Sequence, residues 1–319
     1  MKGKEIGGYF ELELEKKNEY HKGALKLNSA RFCIKEILKH TNCVALHLPY
    51  YICDSIVEQC MKLNIEIKFY NINEDFLPEN EIVLRDKEYL LYVNYFGVND
   101  HNVKKLIDSY KNIIIDNTQA FFYKDIDRSV YYVYSPRKFF GVSDGGYLYG
   151  DLELEDTLIF DESHNRAGYL LKRIEKGAGE AYNLFKDNEI YLDHCSTMKM
   201  SKFTERVLQS IDYDKVKSIR NHNFNYIHEK LYTINRLRIH SSKVHGPMVY
   251  PLLIENESIK AELIKHKIYI PTYWQEVLTR DNINEFEEKL VKYLLPIPID
   301  QRYTTEHMDY IVSLVRRNV

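Results

Sequence analysis

Two charged residues in the first half of the chain stand where a charge is costly. Asp116 follows three isoleucines in "NIIIDNTQAFF", which puts it at the mouth of a buried strand. A carboxylate there needs a cationic partner or hydrogen bonds. Lys138 comes one strand later, in "SPRKFFGVSDGGYLYG", beside Phe139 and Phe140. An amine held among apolar neighbours loses proton affinity, which is what a nucleophile toward an aldehyde requires. Taken singly, the ordinary reading of Asp116 is a turn residue and that of Lys138 a solvated loop charge. The pair says more than either member.

Upstream, "KLNSARF" enters a helix with Asn28 or Ser29 as its N-cap. The first-turn amides of such a helix are free to hold a phosphate, and Ser135 can add a hydroxyl. Tyr50 and Tyr51 follow another strand and offer aromatic faces. The inventory is therefore a phosphate cradle, a carboxylate, an amine and a stacking surface. Pyridoxal 5'-phosphate (PLP) has a phosphate, a basic ring nitrogen, an aldehyde and a π-face, and matches it group by group.

The elements that must position these residues follow from periodicity. "NSARFCIKEILKH", "CDSIVEQCMKL" and "HNVKKLIDSY" read as helices; "CVALHLP", "IEIKFYNI", "YLLYVNYFG", "NIIIDN", "VYYVYS" and "GGYLYG" read as strands. Near-continuous apolar strands alternating with helices predict an α/β fold with a largely parallel sheet covered on both faces. Ligands of such sheets bind at the carboxyl ends of the strands, where Asp116, Ser135 and Tyr50–Tyr51 all fall. From "SKFTERVLQSIDYDKVKSIRNHNFNYIHEKLYTI" onward the chain turns mainly helical, with a break expected near Asp212. "MVYPLLIE" and "IYIP" are expected strands, "NESIKAELIKHK", "NINEFEEKLVKYL" and "TTEHMDYIVSLVRR" expected helices, the last opened by Thr304. The expected division is a large domain over 1–210 and a smaller α+β domain over 211–319.

Composition removes several classes. A formal charge of −3 argues against nucleic acid or an anionic membrane as partner. Cys33, Cys43, Cys53, Cys60 and Cys195 lack the pairing of a disulfide or zinc framework, and the histidines have no ligand spacing, so no metal is expected. There is no apolar run of membrane-spanning length and no signal-peptide core, so a cytoplasmic location is expected. A plain nucleotide-binding domain finds no G-x-G-x-x-G or G-K-[ST] support.

The order "LNSARFCIKEIL", "LPYYICDSIV", "VNYFGV", "IIIDNTQAF", "SPRKFFGVSDGG" resembles the DegT/DnrJ/StrS-type family of PLP-dependent sugar aminotransferases. That family carries "E-D-x-A-Q-A" and then "S-F-x-x-x-K-x-x-x-x-x-E-G-G". The resemblance implies the type I fold of PLP-dependent transferases, with a large mostly parallel-sheet domain and a smaller α+β C-terminal domain. It maps the pyridine-nitrogen partner onto Asp116, the residue on the ring's hydroxyl side onto Gln119, and the aldehyde-bonding lysine onto Lys138. Ser29, Ala30 and Ser135 become phosphate contacts; the stacking aromatic falls among Tyr50, Tyr51 and Cys53, with Tyr51 taken. The interval from Lys138 to Gly145–Gly146 is kept. Fainter likenesses continue through "SIRNHNFNYIHEKL", "IYIPTYW" and "LPIPIDQRYTTEHMDYIV", so the resemblance covers nearly the whole chain from about residue 20.

There are departures. The family's phosphate turn reads Gly-Thr, whereas this chain has Ser29-Ala30-Arg31, making Arg31 either a phosphate contact or a helix-surface charge. The serine-to-lysine loop is shorter. The resemblance implies transamination, with an amino acid such as glutamate as donor and a nucleotide-linked keto-sugar as acceptor, in a homodimer. Tyr273, Trp274 and Arg302 are the candidate substrate contacts of the second half. The alternatives are a sugar dehydratase-like relative, which typically has histidine in place of Lys138, and a catalytically inactive binding or scaffold protein.

Overall fold

β-Branched and aromatic runs bounded by polar turns build the first layer of the structure, a computed structural model that describes residues 6–319. Its strands are β1 (Leu25–Leu27), β2 (Ala45–Pro49), β3 (Glu66–Tyr70), β4 (Glu88–Val93), β5 (Ile113–Asp116), β6 (Tyr131–Tyr134) and β7 (Gly146–Tyr149). They form one sheet in the order β1-β7-β6-β5-β4-β2-β3. The five strands β3, β2, β4, β5 and β6 run parallel, and β7 is antiparallel to both β6 and β1. Each residue of β5 is buried, as expected of a central strand covered on both faces.

Crossover helices supply the cover. α1 (Ala30–His40) buries Phe32, Cys33, Ile34, Ile37 and Leu38, while its other face keeps lysines in solvent. α2 (Asp54–Lys62) and α3 (Asp100–Ser109) serve the next two crossovers. The alternating pattern read from the sequence is therefore the observed one.

In the second half α4 (Gly168–His194), α5 (Lys202–Leu208) and α6 (Tyr213–Leu231) precede a two-stranded antiparallel sheet of β8 (Val249–Leu253) and β9 (Leu294–Pro298). α7 (Glu257–Lys265), α8 (Glu285–Tyr293) and α9 (Thr305–Arg316) complete it. The expected break at Asp212 is a helix cap: its side chain accepts from the Lys215 N–H at 3.1 Å.

One expectation fails. "IYIP" forms no strand, although Ile270 still reaches the core. The partner of β8 is instead "LLPIP", directly after α8, with Pro251 opposite Pro296 and Val249 opposite Pro298. A two-stranded sheet has only edge strands, so prolines can direct their missing donors outward. Helix α4, the longest among the described residues, has no counterpart among the elements that the sequence predicts. Its apolar residues are largely exposed and Gly177 interrupts it at φ +83°, so it carries no clean amphipathic stripe. Among the described residues no helix is long and apolar enough to cross a membrane.

Candidate active site

Strand β5 delivers Asp116 to the carboxyl edge of the sheet, where it is buried. One carboxylate oxygen accepts from the Thr118 N–H at 2.8 Å, closing a tight turn. The Thr118 hydroxyl points back and accepts from Lys138 Nζ at 3.1 Å. Lys138 ends a short 3-10 turn, Pro136–Lys138, directly after β6. Asp116 and Lys138 thus meet through adjacent strands, as β5 and β6 pair in parallel.

The state of Lys138 is informative. Solvent reaches its side chain, yet protein crowds it closely enough to push its pKa below the ordinary value of 10.5. Desolvation is the main cause; Asp116 and Cys53 oppose it, and the positive charges of Arg137 and Arg31 reinforce it. Solvent access combined with crowding describes a residue in a cleft.

Two glycines bring the start of α1 to the same place. Gly145 has φ +120°, which side-chain-bearing residues avoid, and a Cβ there would lie 2.8 Å from the Pro136 ring. A Cβ on Gly146 would lie 2.6 Å from Ala30 N and from the Ser29 carbonyl carbon. The bare backbone lets β7 press against the Ser29–Ala30 turn, and Gly145 N donates to Asn28 O at 2.7 Å. Ser29 caps α1 with extended backbone and makes no side-chain cap bond, leaving its hydroxyl for another partner. Ser135, buried after β6, is the N-cap of the 3-10 turn that carries Lys138.

Gln119 is fixed from the opposite direction. Its Oε1 accepts from the Phe96 N–H at 2.8 Å, while its Nε2 is buried with no partner. Phe96 and Gly97 both have positive φ, +61° and +70°, so this turn is strained at Phe96 and clamped by Gln119. Tyr273 stacks on Phe96 with centroids 6.1 Å apart.

The choice of Tyr51 as stacking residue is corrected. Its ring is completely buried, edge-on to Trp274 at 4.7 Å and tilted against Tyr95 at 5.7 Å, so it has no face to offer. Tyr50 is occupied by stacking on Phe69. Cys53, the N-cap of α2, is the one of the three near enough to influence the proton affinity of Lys138. Arg302 is likewise not free, since it holds Asp300 through Nε at 2.7 Å and Nη2 at 2.8 Å. The second half contributes support instead. Buried Arg220 from α6 stacks its guanidinium on Phe139 at 4.6 Å and donates to the carbonyls of Pro247 and Met248. Gln301 donates to the Phe139 carbonyl at 2.9 Å, so the residue after Lys138 is gripped from the second half.

No model of a protein family matches the chain, and no curated protein is similar to it in sequence. Solved structures are similar in fold. A DegT DnrJ EryC1 StrS aminotransferase from Brucella abortus shares 14% identity over 92% of this chain and 85% of its own, with a TM-score of 0.62. DesV of S. venezuelae shares 13% identity over 92% and 84%, at 0.63. NtdA from Bacillus subtilis, solved with its cofactor PMP bound, shares 12% over 92% and 72%, at 0.65. The chain has their fold.

The residues present also fit the cofactor that the NtdA structure holds in its aminated form. A crowded amine, a buried carboxylate, an unpartnered buried amide donor at Gln119 and an uncapped helix start converge on one edge of the sheet. Sequence reasoning missed Thr118, which links Asp116 to Lys138. The signal was the Asp-Asn-Thr order, in which a side-chain oxygen can turn back onto the second amide.

Proposed function

We propose that the chain is a PLP-dependent aminotransferase that moves an amino group from an amino acid such as glutamate to a nucleotide-linked keto-sugar, in cell-surface polysaccharide or related biosynthesis. The observation that carries this reading is Lys138, an amine reached by solvent, crowded below its ordinary pKa, and held 3.1 Å from a hydroxyl on the turn that Asp116 begins. When bound, the cofactor supplies an aldehyde and an electron-accepting ring. Lys138 Nζ is the amine that would hold the cofactor through its aldehyde carbon and, when free, would move a proton as general base and acid. Asp116 holds a proton at the ring nitrogen by its charge. Gln119 offers Nε2 to the ring's hydroxyl side, and Ser29, Ala30 and Ser135 hold the phosphate. Thr118 keeps Nζ oriented between these groups.

The proposed partners are the amino-acid donor, the keto-sugar nucleotide and a second copy of the chain. The homodimer is supported by α4, which leaves several large apolar side chains in water: Leu171 (63%), Ile174 (84%), Tyr182 (56%) and Ile190 (53%). We place the border between the two domains near residue 210 and the protein in the cytoplasm.

The test is borohydride reduction of the protein loaded with PLP, followed by peptide mapping. A stable adduct at Lys138, absent from Lys138→Ala, is expected; an adduct on another lysine overturns the assignment. In a separate, unreduced sample loaded with PLP, glutamate should release 2-oxoglutarate. If glutamate and other donors release no oxo acid while PLP stays on Lys138, a non-catalytic binding role replaces the enzyme.

A further inference from the structure

Arg31 and Arg137 reach the site from two elements, the first turn of α1 and the 3-10 turn that carries Lys138. Their side chains are only 11% and 15% exposed. Both act on Lys138 as nearby positive charges, and Arg31 acts on Arg137 in the same way. Three cations therefore crowd one end of the cleft, at the Ser29–Ala30 turn.

Their counter-charges come from outside. Asp193 pairs with Arg31 and Glu189 with Arg137, and the two carboxylates lie one turn apart on α4. These acids are 44% and 34% exposed. Asp144 also faces Arg137, but its oxygens are taken by Ser201 and Thr204. Arg137 Nε is enclosed and has no partner at all. The cations are thus embedded in the body of the protein while their covers are half-buried side chains on one helix face, which a bound anion could replace at the guanidinium forks. A phosphate dianion matches guanidinium forks better and brings two charges to two of them. α4 need not depart for this exchange. It is anchored by Asn188, which donates to Ser143 O at 2.9 Å, by buried Leu192 and by Tyr169, which donates to Val142 O at 3.0 Å.

We infer that Arg31 and Arg137 form a phosphate cradle beside Lys138, and that Glu189 and Asp193 are exchangeable counter-ions that a bound phosphate displaces. The inference leans on the proposed function only in naming PLP as the carrier of that phosphate. It adds an arginine grip to the amides and hydroxyls that Ser29, Ala30 and Ser135 offer the same phosphate.

The experiment is calorimetric titration of the full chain with inorganic phosphate, and spectroscopic titration with PLP and with pyridoxal. Arg31→Gln and Arg137→Gln should each weaken inorganic phosphate and PLP roughly tenfold and leave pyridoxal unchanged. The double variant Glu189→Gln/Asp193→Asn should bind both phosphates more tightly than the parent. Its substitutions are isosteric and lie at half-buried positions of α4, so it gives an independent reading where an arginine variant fails to fold. If PLP never bonds Lys138 but inorganic phosphate responds to the arginines and carboxylates as stated, the cradle stands and the PLP reading falls. If PLP keeps its full advantage over pyridoxal in folded arginine variants, the cradle is overturned. It is equally overturned if the carboxylate double variant binds phosphate no better than the parent.

Discussion

On one side of the cleft Asp116, Thr118 and Lys138 stand on strand ends whose neighbours are buried on both faces of the sheet. On the other side α4 touches the same site through two carboxylates, while much of its length exposes leucine, isoleucine and tyrosine. The first wall is over-determined. Asp116 is fixed by its strand register and by the Thr118 amide, and Gln119 by the strained Phe96 turn, a conformation that costs about 1–3 kcal/mol and persists only where its surroundings hold it. The second wall rests on a few anchors and on surface ion pairs. Reactive groups therefore sit where the sheet sets their geometry, and charge balance is set by an element whose side chains can rearrange.

The comparison breaks most visibly at Asp116. Asp116→Asn keeps the shape of the turn but removes the charge, and transamination should slow roughly 100-fold or more with cofactor still bound, as single-turnover absorbance with glutamate would report. Turnover near that of the parent would reduce Asp116 to a turn residue. Gly146→Ala tests the same wall through packing. Its Cβ would meet Ala30 N at 2.6 Å, so a loss of about 1–3 kcal/mol in stability is expected in urea unfolding, together with weaker retention of PLP. An unchanged midpoint would mean that β7 and α1 can part without cost.

A smaller effect belongs to the amine. The folded Lys138 releases its proton below 10.5, so between that lowered value and 10.5 the unfolded chain binds more protons and stability rises with pH. Below the window both states are protonated and the burial penalty is present in full; above it the penalty is gone. Lys138→Met should flatten this rise in thermal melts taken across alkaline pH. Thr118→Val removes the acceptor of the ammonium, so adduct formation with PLP should move to lower pH by a fraction of a unit. A shift in the other direction would mean that the hydroxyl does not favour the charged form.

The least effect on chemistry is expected from α4. The proposed dimer requires Ile174→Glu to lower the solution mass measured by light scattering toward that of a monomer, while leaving the Lys138 adduct intact. A dimer of undiminished mass would separate this surface from the subunit contact.

The sequence by itself determined the parallel sheet and the placement of Asp116, Lys138 and Ser29 at its edge. Each of those signals is local: an apolar run of one strand's length, a cap before an amphipathic helix, a lysine at a fixed interval from a glycine pair. It did not determine which of Tyr50, Tyr51 and Cys53 faces the ligand, because all three follow the same strand end and only packing against Phe69, Trp274 and Tyr95 separates them. Nor did it locate β9, whose prolines are tolerated only because its sheet stops at two strands. The pairing of Arg31 and Arg137 with Asp193 and Glu189 joins residues far apart in the chain. Long-range pairs between charged side chains leave no periodic trace in a sequence, and α4 hides its own by exposing much of the apolar surface that would have marked it as a helix.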